Sequence, residues 1–435
     1  MATIPSLAMK PSGYKEGKLY SFLPNTDDGD FTFSRGSNAT RVNKDGLIEE
    51  VGVNVPRLDY SDSSCPSLLL EPTRTNLIDS SAGLFSGSWS GTRVSEGSTI
   101  NALNGNDEAH KLIATSISST HYREYAYNAS SGSYTGSCFF KKGEYNVACI
   151  RISVDTYANR YAVYIDLNDG SFIEEVTIGS PTGTAYKIED YGDGWYRLSV
   201  SITHTSGEVR MSLSNAPSNY ANSNGLPSFM GNSLDGGYSW GAQLEEGSYA
   251  TSYIPTDGII ATRLQDECTD AGDSSTFNSS EGVLFWEGCT LSTTASEDRY
   301  ISIGDNSYLN NIQILIQTDG TLKIINVDKN ANSNISDLGS SIDPLVYNKI
   351  ALSYKSGDSK LYVNGVLVDS SVGLFDNDAI TTMNLKHQGQ NSNYFYGKTS
   401  DLRVYNTALT DLELEGISSW ESFIAMANGQ NYTIK

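Results

Sequence analysis

Apolar and polar residues alternate along most of this chain with a period of two. Phe31 and Phe33 fall on one side of their segment and Thr32 and Ser34 on the other, the pattern of a half-buried strand. Val163 and Ile165 alternate with Ala162 and Tyr164, and Val209-Arg210-Met211-Ser212-Leu213 repeats the pattern. Strands are predicted at 47–51, 68–70, 137–140, 147–154, 161–166, 195–202, 209–213 and 238–244. A second group is predicted at 283–286, 300–303, 312–316, 322–327, 349–354, 360–363 and 366–368. Between them stand turn residues that tolerate positive φ: Asn43-Lys44-Asp45-Gly46, Asn168-Asp169-Gly170, Gly192-Asp193-Gly194, Asp319-Gly320 and Asn364-Gly365. Pro56, Pro66 and Pro72 each remove a ladder donor and belong at sheet edges or in extended crossings. Many short strands at even spacing predict a sandwich or barrel.

The one helical pattern lies over 407–427. Thr410 with Glu413 three residues on forms a capping box, and Gly416 should split the helix in two. Trp420, Phe423 and Ile424 then make an apolar stripe on the second piece, expected to pack on a sandwich in a monomer, the alternative being a subunit contact in a fibre.

The fold class is therefore mainly β; the resemblances given below imply two antiparallel β-sandwich (jelly-roll) domains in tandem after an extended, strand-rich N-terminal segment. The divisions fall at 1–29, a polar leading segment expected to order only against a partner; 30–77, a strand-rich connector; 78–255, a first module; 256–267, a linker; 268–413, a second module; and 414–435, a short helix and tail. Ile260-Ala261-Thr262-Arg263 echoes Asn38-Ala39-Thr40-Arg41. Arg41 and Arg263 either pin their connectors to a neighbouring sheet through carbonyls or a carboxylate, or are two unrelated surface arginines.

Composition narrows the function. With 435 residues the chain has room for two to four domains at about 150 residues each. Its polarity comes from Ser, Thr and Asn more than from charge, which is only 18% of residues. A net charge of −22 argues against a polyanionic partner such as nucleic acid. The five cysteines, Cys65, Cys138, Cys149, Cys268 and Cys289, show no metal spacing and are expected as free buried thiols of a protein made in a reducing cytoplasm. The N-terminus lacks the apolar core of a signal peptide. No run approaches the ~18 apolar residues of a membrane span.

Several stretches carry family resemblances. The run SRGSNATRVNKDGLIEEVGVNVPRLDY (34–60), followed by LLLEPTRTNLI (68–78), resembles a segment of tailed-bacteriophage virion proteins described as head fibres, head spikes or tail fibres. PSGYKEGKLYSFLP (11–24) resembles the start of the same proteins. Gly36 departs from the pattern, where a small residue with a side chain is expected. GDGWYRLSVSI (192–202) and YSWGAQLEEGSYATSYIPT (238–256) are similar to the closing strands of carbohydrate-binding-like jelly rolls in those proteins. KLYVNG (360–365) and SDLRVYNTALTDLELEGI (400–417) resemble a laminin-G/concanavalin-like lectin sandwich. The resemblance implies a virion location, assembly in the host cytoplasm and attachment to other virion proteins through the N-terminal segment. It also implies a homo-oligomer, with trimers common among such fibres.

No catalytic set stands out. His110, His121, His204 and His387 are scattered and adjoin no carboxylate pattern. Glu174-Glu175 and Glu245-Glu246 are neighbours in strands and face opposite sides, so neither pair can flank one glycosidic bond. The chain is read as no enzyme and as needing no cofactor. Sugar binding is the chemistry left, through aromatic faces and amide or hydroxyl partners. The candidates are Tyr191, Tyr394 and Tyr396, all near turns or sheet edges, whereas Trp195 and Trp240 read as core. Asp305 and Asp319 are either solvated turn carboxylates or ligands of a rim calcium of the kind such sandwiches often hold. The expected function is a head fibre or spike making weak, multivalent contact with host or environmental glycans. The alternatives are a tail fibre receptor-binding protein, a purely structural capsid decoration, or, further off, a polysaccharide depolymerase.

Overall fold

A computed structural model describes residues 3–293, 298–370 and 376–430, without the side chains of 334–341. It is almost entirely antiparallel β, with two short helices, Asp411–Ser418 and Phe423–Gly429. The chain forms two compact units. One comprises 1–38, 51–72 and 264–435; the other comprises 39–50 and 73–263. The connector is thus divided between the units, and the two sandwiches are interleaved in sequence.

The first unit is a sandwich of an eight-stranded and a five-stranded sheet, with a smaller four-stranded sheet beside them. Glu281–Thr290 and Gly397–Tyr405 lie centrally in the larger sheet, paired Leu284 to Val404. Ser67–Leu70 pairs with Gly397–Tyr405. Its three leucines are all buried, because this short strand is covered on both faces. The core holds Trp286, Ile301, Ile303, Ile312, Ile314 and Leu352 among others.

The leading segment corrects the expectation of an extended tether. Leu7–Met9 pairs with Gly397–Tyr405, Leu7 opposite Val404. Leu7, Met9 and Leu19 are fully buried in the core of this unit. Fully burying each such side chain is worth roughly 1.5–3 kcal/mol, enough to order a segment whose pattern is otherwise polar.

Arg35, Arg57, Glu71 and Asp266 form a buried charge cluster inside the same unit. Asp266 accepts from Arg35 Nη1 at 3.0 Å, from the Glu71 backbone N–H at 2.9 Å and from Arg57 Nη2. Arg57 also pairs with Glu71. Both arginine side chains and that of Asp266 are wholly buried. Two positive and two negative charges balance, which is what makes such burial tolerable. Burial would lower the pKa of Arg57, but Asp266 and Glu71 outweigh it and push the value up.

The second unit packs two six-stranded sheets face to face. Its core holds Ile150, Ile152, Val163, Leu198, Val200 and Met211 among others. Val147–Val154 and Asn159–Asp166 pair in register, Ile150 opposite Val163. Trp195 and Trp240 are buried, Trp240 completely. Gly241 has φ +64°, and a Cβ there would meet the Phe139 ring at 2.8 Å. It lies where the pairing of Gly132–Lys141 with Gly236–Glu246 slips by one residue, a bulge that only glycine fits.

The turns follow their local chemistry. Gly46, Gly170, Gly320 and the pair Asn364-Gly365 all have positive φ. The capping box forms at Thr410 and Glu413. Gly416 does not break the helix; the chain leaves it at Ser419. Buried Leu414 and its neighbour Ile417 anchor that turn on the sheet and offset the ~1 kcal/mol cost of a helical glycine. The stripe on the second helix divides: Trp420 packs under Lys349, while Phe423 and Ile424 are more than 60% exposed. All five cysteines are free; four are buried, but Cys65 is exposed.

Candidate functional site

Strand alternation builds the site in the first unit. On Arg299–Gly304 and Asn311–Ile316 the isoleucines face the core. Tyr300, Ser302, Asn311 and Gln313 therefore face the other way, and all four are buried. They are covered by the segment 385–395, which folds back on itself: His387 N–H donates to Asn393 O at 3.1 Å and Phe395 N–H to Leu385 O at 2.9 Å.

Buried amides cannot be left unpaired, and here they tie the covering segment down. Gln388 N–H donates to Gln313 Oε1 and its Nε2 to Ser302 Oγ, each at 3.2 Å. Gln388 Oε1 accepts from Asn306 N–H at 3.1 Å. Asn384 Nδ2 donates to Asn306 Oδ1 at 2.9 Å, and Asn306 Nδ2 to Asp270 at 2.9 Å. Asn306 and Asn310 take left-handed backbone. Gly389, at φ +71°, lets the covering segment touch the Tyr308 backbone; a Cβ there would come within 2.6 Å of the Tyr308 nitrogen.

This network holds one ring out to solvent. Tyr308 is 60% exposed at the tip of the 305–310 turn. Its ring centre lies 6.3 Å from His387, which meets Tyr300 edge-on at 4.7 Å. Burial lowers the His387 pKa, against the backbone hydrogen bond at Gln388. The half-buried His387, the exposed Asn306 and the exposed Asn391 and Ser392 add polar groups on the same turn and covering segment, with Asp305 and Lys386 partly exposed beside them. An exposed ring among hydrogen-bonding groups suits a hydroxylated, partly apolar ligand.

The tyrosines expected from sequence lie elsewhere. Tyr394 and Tyr396 are neighbours, 6.4 Å apart, but only 7% and 6% exposed. Between them Phe395 enters the core against Trp286, and Tyr396 Oη meets Gln265 at 3.3 Å. Neither offers a ring face to solvent. Tyr191 belongs to the other unit, half-buried edge-on to Phe139 at 4.9 Å. Arg41 bonds Glu49 at 2.7 Å within its own ribbon, and buried Arg263 donates to Thr251 and Ser252. Arg35 and Arg57, which the sequence did not single out, also clamp the connector, both on Asp266. The calcium reading does not fit the donor set. Asp305 is taken up by Ser307 and Asn310, and Asp319 by Thr321 in its own turn. Among the described residues no three His, Cys, Asp or Glu groups gather as a metal would need.

Two histidines do have carboxylate neighbours that sequence did not reveal, Glu96 at 2.8 Å from His110 and Asp155 at 3.4 Å from His204. His204 is buried. Among the described residues no helix is long and apolar enough to cross a membrane.

Residues 278–415 match the family described as the concanavalin A-like lectin/glucanases superfamily, a laminin-G type. That segment is a concanavalin-like sandwich. The exposed Tyr308 and its amide network belong to this lectin-like sandwich. Solved structures with partial likeness include the Ruminococcus gnavus IT-sialidase CBM40 bound to α2,3-sialyllactose, at 19% identity over 35% of this chain and 94% of that one, TM-score 0.29. Another is domain 4 of the extracellular arabinanase AbnA from Geobacillus stearothermophilus with arabinotriose, at 17% identity over 40% and 83%, TM-score 0.28. A third is a SAP-like pentraxin from Limulus polyphemus, at 15% identity over 33% and 71%, TM-score 0.27. Among curated proteins no relative matches this chain.

Proposed function

We propose that this chain is a non-catalytic fibre or spike protein on the exterior of a tailed-phage particle, and that its lectin-like sandwich contacts surface glycans through Tyr308. The observation carrying the glycan reading is the exposed Tyr308 ring, fixed over a fully bonded amide network on a lectin-like fold. The virion reading is supported by the long segment at 34–78 that resembles phage head and tail fibres. A stacked ring is worth about 0.5–1.5 kcal/mol, a few-fold to roughly tenfold per site. Useful attachment then needs many copies, as a homo-oligomer repeated over a particle supplies.

The test has two arms. Antibodies against the chain should decorate intact purified particles; labelling confined to lysate protein would sink the virion reading. Bead-displayed full-length chain should bind a subset of an array of bacterial glycans, and Tyr308→Ala should lose that binding with its melting temperature unchanged. Binding unaffected by Tyr308→Ala would remove the site. Steady release of reducing ends from a bound polysaccharide would overturn the non-catalytic reading.

A further inference from the structure

The second unit carries a cavity that the preceding reading does not use. It measures about 610 Å³, within the ~300–1,000 Å³ of ligand pockets. It forms where Arg74–Asn76 pairs with Ala261–Arg263, Thr75 opposite Thr262. The two hydroxyls lie 2.8 Å apart. Arg74, Thr75, Thr262, Ser133, Tyr127 and Glu246 contribute to the walls.

The placement of Arg74 is built. Its guanidinium lies over the Tyr249 ring at 5.4 Å, and Nη1 donates to the Thr73 carbonyl at 3.2 Å. Gly247 lets it sit close, since a Cβ there would lie 3.0 Å from both Nε and Nη2. Among the described residues no carboxylate pairs with Arg74 and nothing accepts from Nη2. That is notable in a chain with 51 acidic and 29 basic residues. Glu246 shares the cavity without reaching it.

We propose that this cavity binds a carboxylated sugar residue of a polysaccharide. A charged guanidinium with an unpaired Nη2 donor matches a carboxylate and is wasted on a neutral ring. Glu246 accepts from sugar hydroxyls and disfavours a doubly charged phosphate. Thr75, Thr262 and Ser133 add hydroxyl partners, and Tyr127 adds an aromatic wall. The combination selects one negative charge on a polyhydroxylated ring. This site is independent of Tyr308 and stands or falls separately.

Calorimetric titration of the full chain with digalacturonate, diglucuronate, their neutral disaccharide counterparts and inorganic phosphate tests it. A uronate should bind saturably, at least tenfold tighter than its neutral counterpart, and weaken with added salt. Arg74→Ala should abolish the preference. Tyr127→Ala, which leaves the arginine stack intact, should weaken uronate binding several-fold, and Tyr308→Ala should leave it unchanged. Equal affinity for neutral and acidic sugars, phosphate competing as well as uronate, or no uronate binding at millimolar concentration would each overturn the proposal.

Discussion

Substituting Asp266 by asparagine tests the reading of the buried charge cluster most directly. Asp266 accepts from Arg35, Arg57 and the Glu71 N–H, with no solvent to replace any of them. Asparagine fills the same volume but removes one negative charge and turns donors toward two guanidinium groups. The cluster goes from neutral to one uncompensated buried positive charge. Breaking a buried pair in this way costs about 3–5 kcal/mol. At about 2–4 °C per kcal/mol for domains of about 150–250 residues, the unit containing residues 264–435 should melt roughly 6–20 °C lower. Differential scanning calorimetry reads this, with the transition of the other unit as an internal reference. Arg35→Met added to Asp266→Asn restores neutrality around Arg57 and Glu71 and should recover part of the loss, a non-additive cycle. A shift under about 2 °C for Asp266→Asn, or strict additivity in the double variant, would refute the reasoning.

Other expectations follow from single sites. Gly241→Ala should destabilise the second unit by at least about 1–2 kcal/mol from left-handed backbone alone, measured by urea unfolding. Burial raises the Asp155 pKa, but hydrogen bonds from Asn159, Thr205 and Ser206 outweigh it and hold the carboxyl near about 2. Its stabilising contribution is therefore full above the unfolded value of about 3.9 and is lost as pH falls through about 2. The melting gap between wild type and Asp155→Asn should close over that window and stay constant above pH 5. A thiol reagent should titrate Cys65 quickly in the native chain and the other four only after unfolding; burial pushes the Cys149 thiol up to about 12. Gly389→Ala should shift the NMR signals of Tyr308 and reduce glycan binding together, since its Cβ would press on the Tyr308 backbone.

What sequence could show was local. Asn364-Gly365 and Asp319-Gly320 announce their turns because positive φ is a property of two residues. Val147–Val154 was legible because eight residues of one strand suffice to set its pattern. The Asp266 cluster was not, because its partners stand 231 and 209 positions away, and single charges in connectors look like surface. Leu7 and Met9 gave too short an apolar pattern to outweigh the polar residues around them. Tyr394 and Tyr396 sit near turns as exposed rings do, but the segment carrying them folds over a sheet. Tyr308 was the overlooked ring. Its signal was an aromatic side chain enclosed by Asp305-Asn306-Ser307 and Asn310-Asn311, a turn with no apolar neighbour to bury it except Leu309.

The pairing of Leu7–Met9 with Gly397–Tyr405 has a consequence for synthesis. A ribosome makes Leu7–Met9 long before the central strand it pairs with, whereas the other sandwich, apart from the ribbon at 39–50, is one continuous run that can fold as it emerges. Truncated chains ending before residue 397 would carry one finished sandwich and one held open, with the apolar faces of Ser67–Leu70 and Glu281–Thr290 still seeking a partner. Such fragments should be prey for proteases and chaperones until Gly397–Tyr405 has been made and the lectin-like sandwich can close.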